Sequence, residues 1–293
     1  MMSSQSRWFL GAVVGLCVPV AVMAADANAP AAKLSAAQIV DKHVAARGGL
    51  QAWRGVQTMS WNGKMDVGYG DSAARSAHYV SSAAMANSAK KKLVAAQSAE
   101  DKRAADKQVQ LPFLLEMKRP NKSRVEIQFA GKTAVQVYDG SNGWMMRPYL
   151  NRDDWEPFSP DQAKEEAGNP GMDGLLLDYA KKGTKVDFES MEAVEGHDAY
   201  KMKLTMKNGD VKHVWIDAQT FLDVKVEGTA RRMDGRMHSV FVYQRDFRSV
   251  QGLMVPFVLE TAVEGYKDTH KMMIEKVGLN PILDDALFLR PKS

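Results

Sequence analysis

Six histidines, one cysteine and two pairs of adjacent aspartates are the residues of this chain whose types could do chemistry. The histidines are His43, His78, His197, His213, His238 and His270. Two of them at H-x-H or H-E-x-x-H spacing would point to zinc, and no pair has that spacing. Asp153-Asp154 and Asp284-Asp285 would serve acid–base work if their carboxyls converged. Neighbours in a strand point to opposite faces, so these read as loop or helix-cap carboxylates. Gly140 and Gly143 flank Ser141 and Asn142, which makes a turn and brings no phosphate-loop lysine. There is no G-x-S-x-G elbow. Cys17 is the only cysteine. It follows Leu16, where a lipid-attachment site needs a small residue, and it lies in the apolar part of an N-terminal leader. The chain beyond it has no thiol, which excludes disulfides, thiolate catalysis and thiolate metal sites. The reading is a protein that is not an enzyme and that uses no cofactor and no metal.

The leader is read as a signal peptide over residues 1–24. Arg7 gives the positive start, Trp8 to Val22 the apolar run, and Val22-Met23-Ala24 the cleavage point. The run is broken by Pro19 and is too short to span a membrane. Residues 25–33 are an Ala/Pro-rich linker, and residues 34–293 are expected to form a single domain. The expected location is the periplasm. Net charge is +4 in 293 residues, spread along the chain, which gives no argument for nucleic acid.

The elements that would position a site change type early. Ser35 can cap a helix, with Gln38 completing a capping box. Ile39, Val40, His43 and Val44 fall on one helix face, and Gly48-Gly49 ends it. From residue 57 the period becomes two. Met59, Trp61, Met65 and Val67 alternate with polar residues, as do Phe113, Leu115 and Met117, then Val125, Ile127 and Phe129, then Tyr200, Met202, Leu204 and Met206. Asp139-Gly140, Asn208-Gly209, Asp234-Gly235 and Gln251-Gly252 punctuate the runs as hairpin turns. The pattern predicts about 10–12 antiparallel strands, mostly in a meander, with one dry and one wet face. Ser159-Pro160 opens a helix, and Met172, Leu175, Leu176 and Tyr179 make a second helical stripe. Residues 82–110 are Ala/Lys-rich without alternation and read as a polar insertion.

A sheet of that size must curl, which puts its apolar rows inside. The interior is then either filled core or an apolar pocket able to take an acyl chain. Methionine, present 18 times, suits an irregular apolar partner. If the interior is a pocket, its expected lining is Trp61, Met65, Met117, Ile127, Phe129, Trp144, Met146 and Met202 from strands. Leu175, Leu176 and Tyr179 would close over it.

Met117-Lys118-Arg119-Pro120-Asn121-Lys122-Ser123-Arg124-Val125-Glu126-Ile127, then Phe129-Ala130-Gly131 and Tyr138-Asp139-Gly140-Ser141-Asn142-Gly143-Trp144, resemble the outer-membrane lipoprotein-sorting (LolA/LolB-like) family. Ala46-Arg47-Gly48-Gly49-Leu50, Trp215-Ile216-Asp217 and Leu283-Asp284-Asp285-Ala286-Leu287-Phe288 are similar to its beginning and later half. The resemblance implies a mainly β (α+β) fold: a half-open antiparallel barrel with a few covering helices. It implies carriage of lipid-modified proteins or lipids through an apolar cavity toward the outer membrane. An inner-membrane donor, an outer-membrane acceptor and a monomeric state go with that reading. The alternative is a periplasmic sensor or adaptor that binds a lipidated or misfolded peptide and signals to a protein partner.

Overall fold

The computed structural model describes residues 34–69, 108–148 and 152–290. The leader, the linker and residues 82–107 of the expected insertion lie outside the described residues. Residues 108–110, expected to close that insertion, instead open a strand.

Two helices come first. Helix α1 (Ala36–Ala46) starts at Ser35, whose side chain accepts from the Gln38 backbone while Gln38 reaches back to Ser35. This capping box satisfies two donors that an open helix end leaves free. Ile39, Val40 and His43 are its buried face. Helix α2 (Leu50–Gly55) buries Trp53. Between them Gly48 has φ +106°, and a Cβ there would lie 2.4 Å from the Gly252 carbonyl oxygen. Only glycine fits that close approach.

Thirteen strands form one antiparallel sheet. Its first half is β1 (Thr58–Tyr69), β2 (Gln108–Lys118), β3 (Lys122–Phe129), β4 (Lys132–Tyr138), β5 (Gly143–Arg147) and β6 (Arg152–Pro157). Its second half is β7 (Lys185–Val194), β8 (His197–Thr205), β9 (Val211–Asp217), β10 (Asp223–Glu227), β13 (Val240–Val250), β14 (Leu253–Val263) and β15 (Thr269–Leu279). The small hairpin β11 (Arg231–Met233) and β12 (Arg236–His238) stands apart as a second sheet. Each half is a meander apart from that hairpin, and the halves join where β1 pairs with β15. The sheet does not close: β6 and β7 are its two edges.

The large, open antiparallel sheet is of the expected kind, and β6, β11 and β12 are short and carry arginines, so no apolar alternation marks them. Turn chemistry holds where the sequence marked it. Gln251 and Gly252 both have positive φ, at +50° and +87°, and Val250 faces Leu253 directly across that two-residue turn. This is the backbone of a tight hairpin whose twist matches its strands.

The main core is the β1–β3 and β14–β15 part of the sheet, with Met59, Phe113, Ile127, Val255 and Ile274 buried against Trp53 and Leu177. A second cluster lies under the C-terminal segment, where Phe288 packs on Val135 and Val137. Asp284 caps the short turn of 3-10 helix Asp285–Phe288, and Asp285 pairs with Lys122 at 2.7 Å and Lys118 at 3.2 Å.

Candidate functional site

Strand register builds the floor of the site. Trp61 faces Leu115, which faces Val125, which faces Gln136. Farther along the sheet Met65 faces Met272, which faces Leu259, which faces Gln244. A third row runs Thr261, Val242, Val226, Val214. All of these residues line one cavity of about 490 Å³, within the usual range for small-molecule pockets of roughly 300–1,000 Å³.

The roof follows from topology. The chain leaves the sheet at edge β6 and re-enters at edge β7, so residues 158–184 join the two edges. This strap begins with helix α3 (Pro160–Ala167), capped by Ser159 with proline in its first turn. Its buried Gln162 lies against the Met145 sulfur at 3.5 Å. Met172, Leu175 and Leu176 are buried and line the cavity. Only Gly171–Asp173 of the expected second helix is helical, and turns continue to Gly183. Gly171 and Gly174, both at positive φ, interrupt any longer helix there.

Ion pairs on both sides fasten the strap. Arg119 Nη1 and Nη2 donate to Asp173 at 2.8 and 2.5 Å. Arg54 Nε and Nη2 donate to Asp178 at 2.9 and 2.5 Å. The Ser123 hydroxyl donates to Glu166 at 2.5 Å. Burial pushes the Glu166 carboxyl above the ordinary glutamate value, the Ser123 bond opposing and nearby Glu165 reinforcing the shift.

One wall is polar. His43 and Arg47 from α1, Asp223 from β10 and Gln244 from β13 all line the cavity. Arg47 Nη1 stands 3.7 Å from Asp223 Oδ1, and His43 Nδ1 stands 4.0 Å from it. The His43 Nδ1–H donates to the Phe221 carbonyl at 2.9 Å, and Gln244 Nε2 donates to Asp223 at 3.1 Å. Burial holds the His43 imidazole below its ordinary value, with Asp223 opposing and Arg47 adding. Burial works against charge on Asp223, yet Arg47 and His43 keep its carboxyl below the usual range. The wall is thus an ion pair beside an imidazole whose proton affinity burial lowers. Among the described residues no three His, Asp or Glu side chains converge to hold a metal ion.

No family model matches the chain, and no curated protein matches it. Solved structures do. A LolA superfamily protein from Nitrosomonas europaea superposes with TM-score 0.52 at 14% identity, over 88% of this chain and 99% of the other. A domain of an outer membrane lipoprotein-sorting protein from Vibrio parahaemolyticus gives TM-score 0.50 at 11% identity, over 84% of this chain and 92% of the other. A DUF1329 family protein from Desulfovibrio piger gives 0.53 at 13%, over 88% and 98%. The fold is LolA-like. Identities of 11–14% establish architecture alone.

The LolA-like fold brings together some of the residues expected at the cavity. Trp61, Met65, Met117, Leu175 and Leu176 line it. Ile127 and Phe129 stand on the same sheet face but pack into the core away from the cavity wall. Met202 faces Val214 in the third row and is fully buried off the wall. Tyr179 is half-buried beyond it.

Trp144 and Met146 are corrections. They face Val137 and Val135, on the other side of the sheet from Gln136. Met146 packs under the C-terminal segment. In Gly143-Trp144-Met145-Met146 one sheet face is buried and the other half-buried, and both carry apolar residues, so alternation does not tell which side is inward. Met145, facing Gln136, is the residue on the cavity side. The sequence reading also missed Arg47 and Asp223. A signal for Arg47 was present: it follows His43 by four residues, so it continues the buried face of α1.

Proposed function

We propose that this protein is a carrier that holds acyl chains of lipids or of lipid-modified proteins in its apolar cavity and moves them toward the outer membrane. The single observation behind this reading is the unfilled cavity of about 490 Å³, floored by Trp61, Leu115, Val125, Val226 and Met272 and roofed by Leu175 and Leu176. Burying one methylene there contributes roughly 0.8 kcal/mol, so a chain of ordinary length binds without any charged contact. A surface of the strap's chemistry, polar outside and apolar beneath, keeps such a chain from water. The work is binding and release with no covalent step, and the place is the periplasm, reached through the expected leader. The LolA-like architecture supports this reading.

Mass spectrometry of lipids that co-purify with the protein from its native periplasm tests it. The expected result is a stoichiometric acylated species whose removal lets a fluorescent fatty acid bind. A lipid-free preparation that never binds the probe would overturn the carrier reading.

A further inference from the structure

Resting on the carrier reading, we infer that the side-chain amide of Gln136 donates a hydrogen bond to the carbonyl of an ester- or amide-linked acyl chain. The cavity then takes conjugated chains in preference to free fatty acids. Gln136 ends the floor row that runs through Trp61, Leu115 and Val125, and all of these residues line the cavity. Gln136 is half-buried. Among the described residues its amide has no hydrogen-bond partner, and neither its Oε1 nor its Nε2 is sealed from solvent. It is an open polar group on the face that the cavity exposes.

Strand β4 fixes its direction. Val135 and Val137, on either side of Gln136 in the chain, pack with Phe288 on the opposite face of the sheet. Strands β3 and β5 flank β4 and set Val125 and Met145 beside Gln136, so its side chain stands between them on the cavity face. The other polar atoms of this row are engaged. The Met145 sulfur accepts from Gln162, and the Trp61 indole N–H goes to the Met59 sulfur at 3.1 Å. Gln136 alone in the row has N–H donors and a carbonyl acceptor to spare. Three strand spacings of ~4.8 Å separate Trp61 from Gln136, roughly 14 Å, the reach of an extended chain of about twelve carbons. A chain laid along Trp61, Leu115 and Val125 therefore brings its linkage to Gln136.

Charge sets the preference among linkages. The cations at the adjoining β2–β3 turn also line the cavity, but each already holds a carboxylate: Lys118 and Lys122 hold Asp285, and Arg119 holds Asp173. Glu166, on the strap, also lines the cavity. Its partner is the Ser123 hydroxyl, on the same sheet face as Val125, and no cation is among the groups acting on its carboxyl. A carboxylate head beside Gln136 would meet Glu166 with no unpaired cation of that turn to offset it. A neutral carbonyl needs only the N–H of Gln136.

The test sets ligands with a twelve-carbon chain against a bound fluorescent fatty acid, in wild type and in Gln136→Leu. They are methyl dodecanoate, N-methyldodecanamide, dodecanoate, and 1-chlorododecane, which has no carbonyl. Gln136→Leu keeps the bulk and removes the donor. The expected result is a fall of about tenfold, or ~1.4 kcal/mol, in the ester-to-chloride or the amide-to-chloride affinity ratio. The wild type should also bind dodecanoate more weakly than its methyl ester. A larger fall for the amide assigns the site to an N-acylated cargo, and a larger fall for the ester to a lipid ester. Both ratios unchanged, or dodecanoate as the tightest ligand of the wild type, overturns the inference. Should Gln136→Leu not fold, the wild type decides alone. The Gln136 side-chain N–H resonances should shift with saturating methyl dodecanoate and stay in place with 1-chlorododecane, and the same response to both overturns the inference. If neither the probe nor any of the four ligands binds, the carrier reading fails and this inference with it. If they bind and the ratios do not move, only the recognition by Gln136 fails.

Discussion

Trp53 holds Arg47 in two ways. Its indole Nε1 donates to the Arg47 carbonyl at 2.9 Å, and its ring lies 4.4 Å from the Arg47 guanidinium carbon. A helix terminus and a buried cation are thereby fixed by one side chain of the next helix. Trp53→Phe keeps a ring face and removes the donor, and should cost about 1–2 kcal/mol. Trp53→Ala removes both and should cost ~3–5 kcal/mol. Urea unfolding of the two variants checks this. A Phe variant as destabilised as the Ala variant would mean the hydrogen bond dominates and the ring contributes nothing.

The strap should be loosened by Asp173→Asn without unfolding the sheet. Asp173 is the better target than Arg119, because Arg119 also donates to the Val56 and Trp53 carbonyls. The pair is part-exposed, so its loss should cost no more than ~1 kcal/mol. Limited proteolysis between residues 171 and 184 should accelerate, and a bound fluorescent fatty acid should leave faster. Equal proteolysis in wild type and variant would show that Asp173 does not fasten the roof.

His43 should make stability depend on pH. Its folded-state affinity for a proton is lowered, chiefly by burial, so the unfolded chain binds the proton more readily. The contribution is then fully present above the ordinary histidine value of 6.5 and is lost as pH falls below it. His43→Gln keeps a donor for Phe221 and removes the titration. Urea midpoints measured from about pH 8 to about pH 5 should slope less in the variant. Some slope should persist, because burial lowers His270 in the same direction. Parallel curves would show that His43 does not titrate in this window.

Filling the cavity should separate ligand from fold. Val242 lines it between Val226 and Thr261, so Val242→Phe has room and should cost under ~1 kcal/mol while weakening fatty-acid binding. Ile127, 5% exposed in the packed core, has none, and Ile127→Phe should cost about 1–3 kcal/mol. Calorimetric melting and probe displacement on both variants decide the matter. A Val242→Phe protein as unstable as Ile127→Phe would mean the cavity is core.

How much of this was legible follows from which signals are local. The capping box at Ser35 and the helix start at Ser159 appear where the sequence put them, because a cap is a four-residue interaction. The strands with a single dry face were legible from alternation, as in Phe113, Leu115 and Met117. Alternation failed at β5, where both faces carry apolar residues and the C-terminal segment half-covers Met146 on the outer one. The union of Arg47 with Asp223 joins residues far apart in the chain through the pairing of α1 with the floor of the sheet. Asp223 opens a strand in which polar residues are expected to face water, so nothing local marks it as buried. The pairing of β1 with β15 is equally non-local.

That pairing has a consequence for how the molecule could be divided. The strap is the covalent link between the two sheet halves, yet β1 lies against β15 over seven residue pairs, and the C-terminal segment reaches back to Lys118, Lys122 and Val135 on the first half. A chain cut near Gly183 would therefore yield two fragments that interlock: one ends in the free roof, and the other carries the strand and clasp that complete its companion. Expressed separately, the fragments should reassemble by complementation, with a roof tethered at one end only.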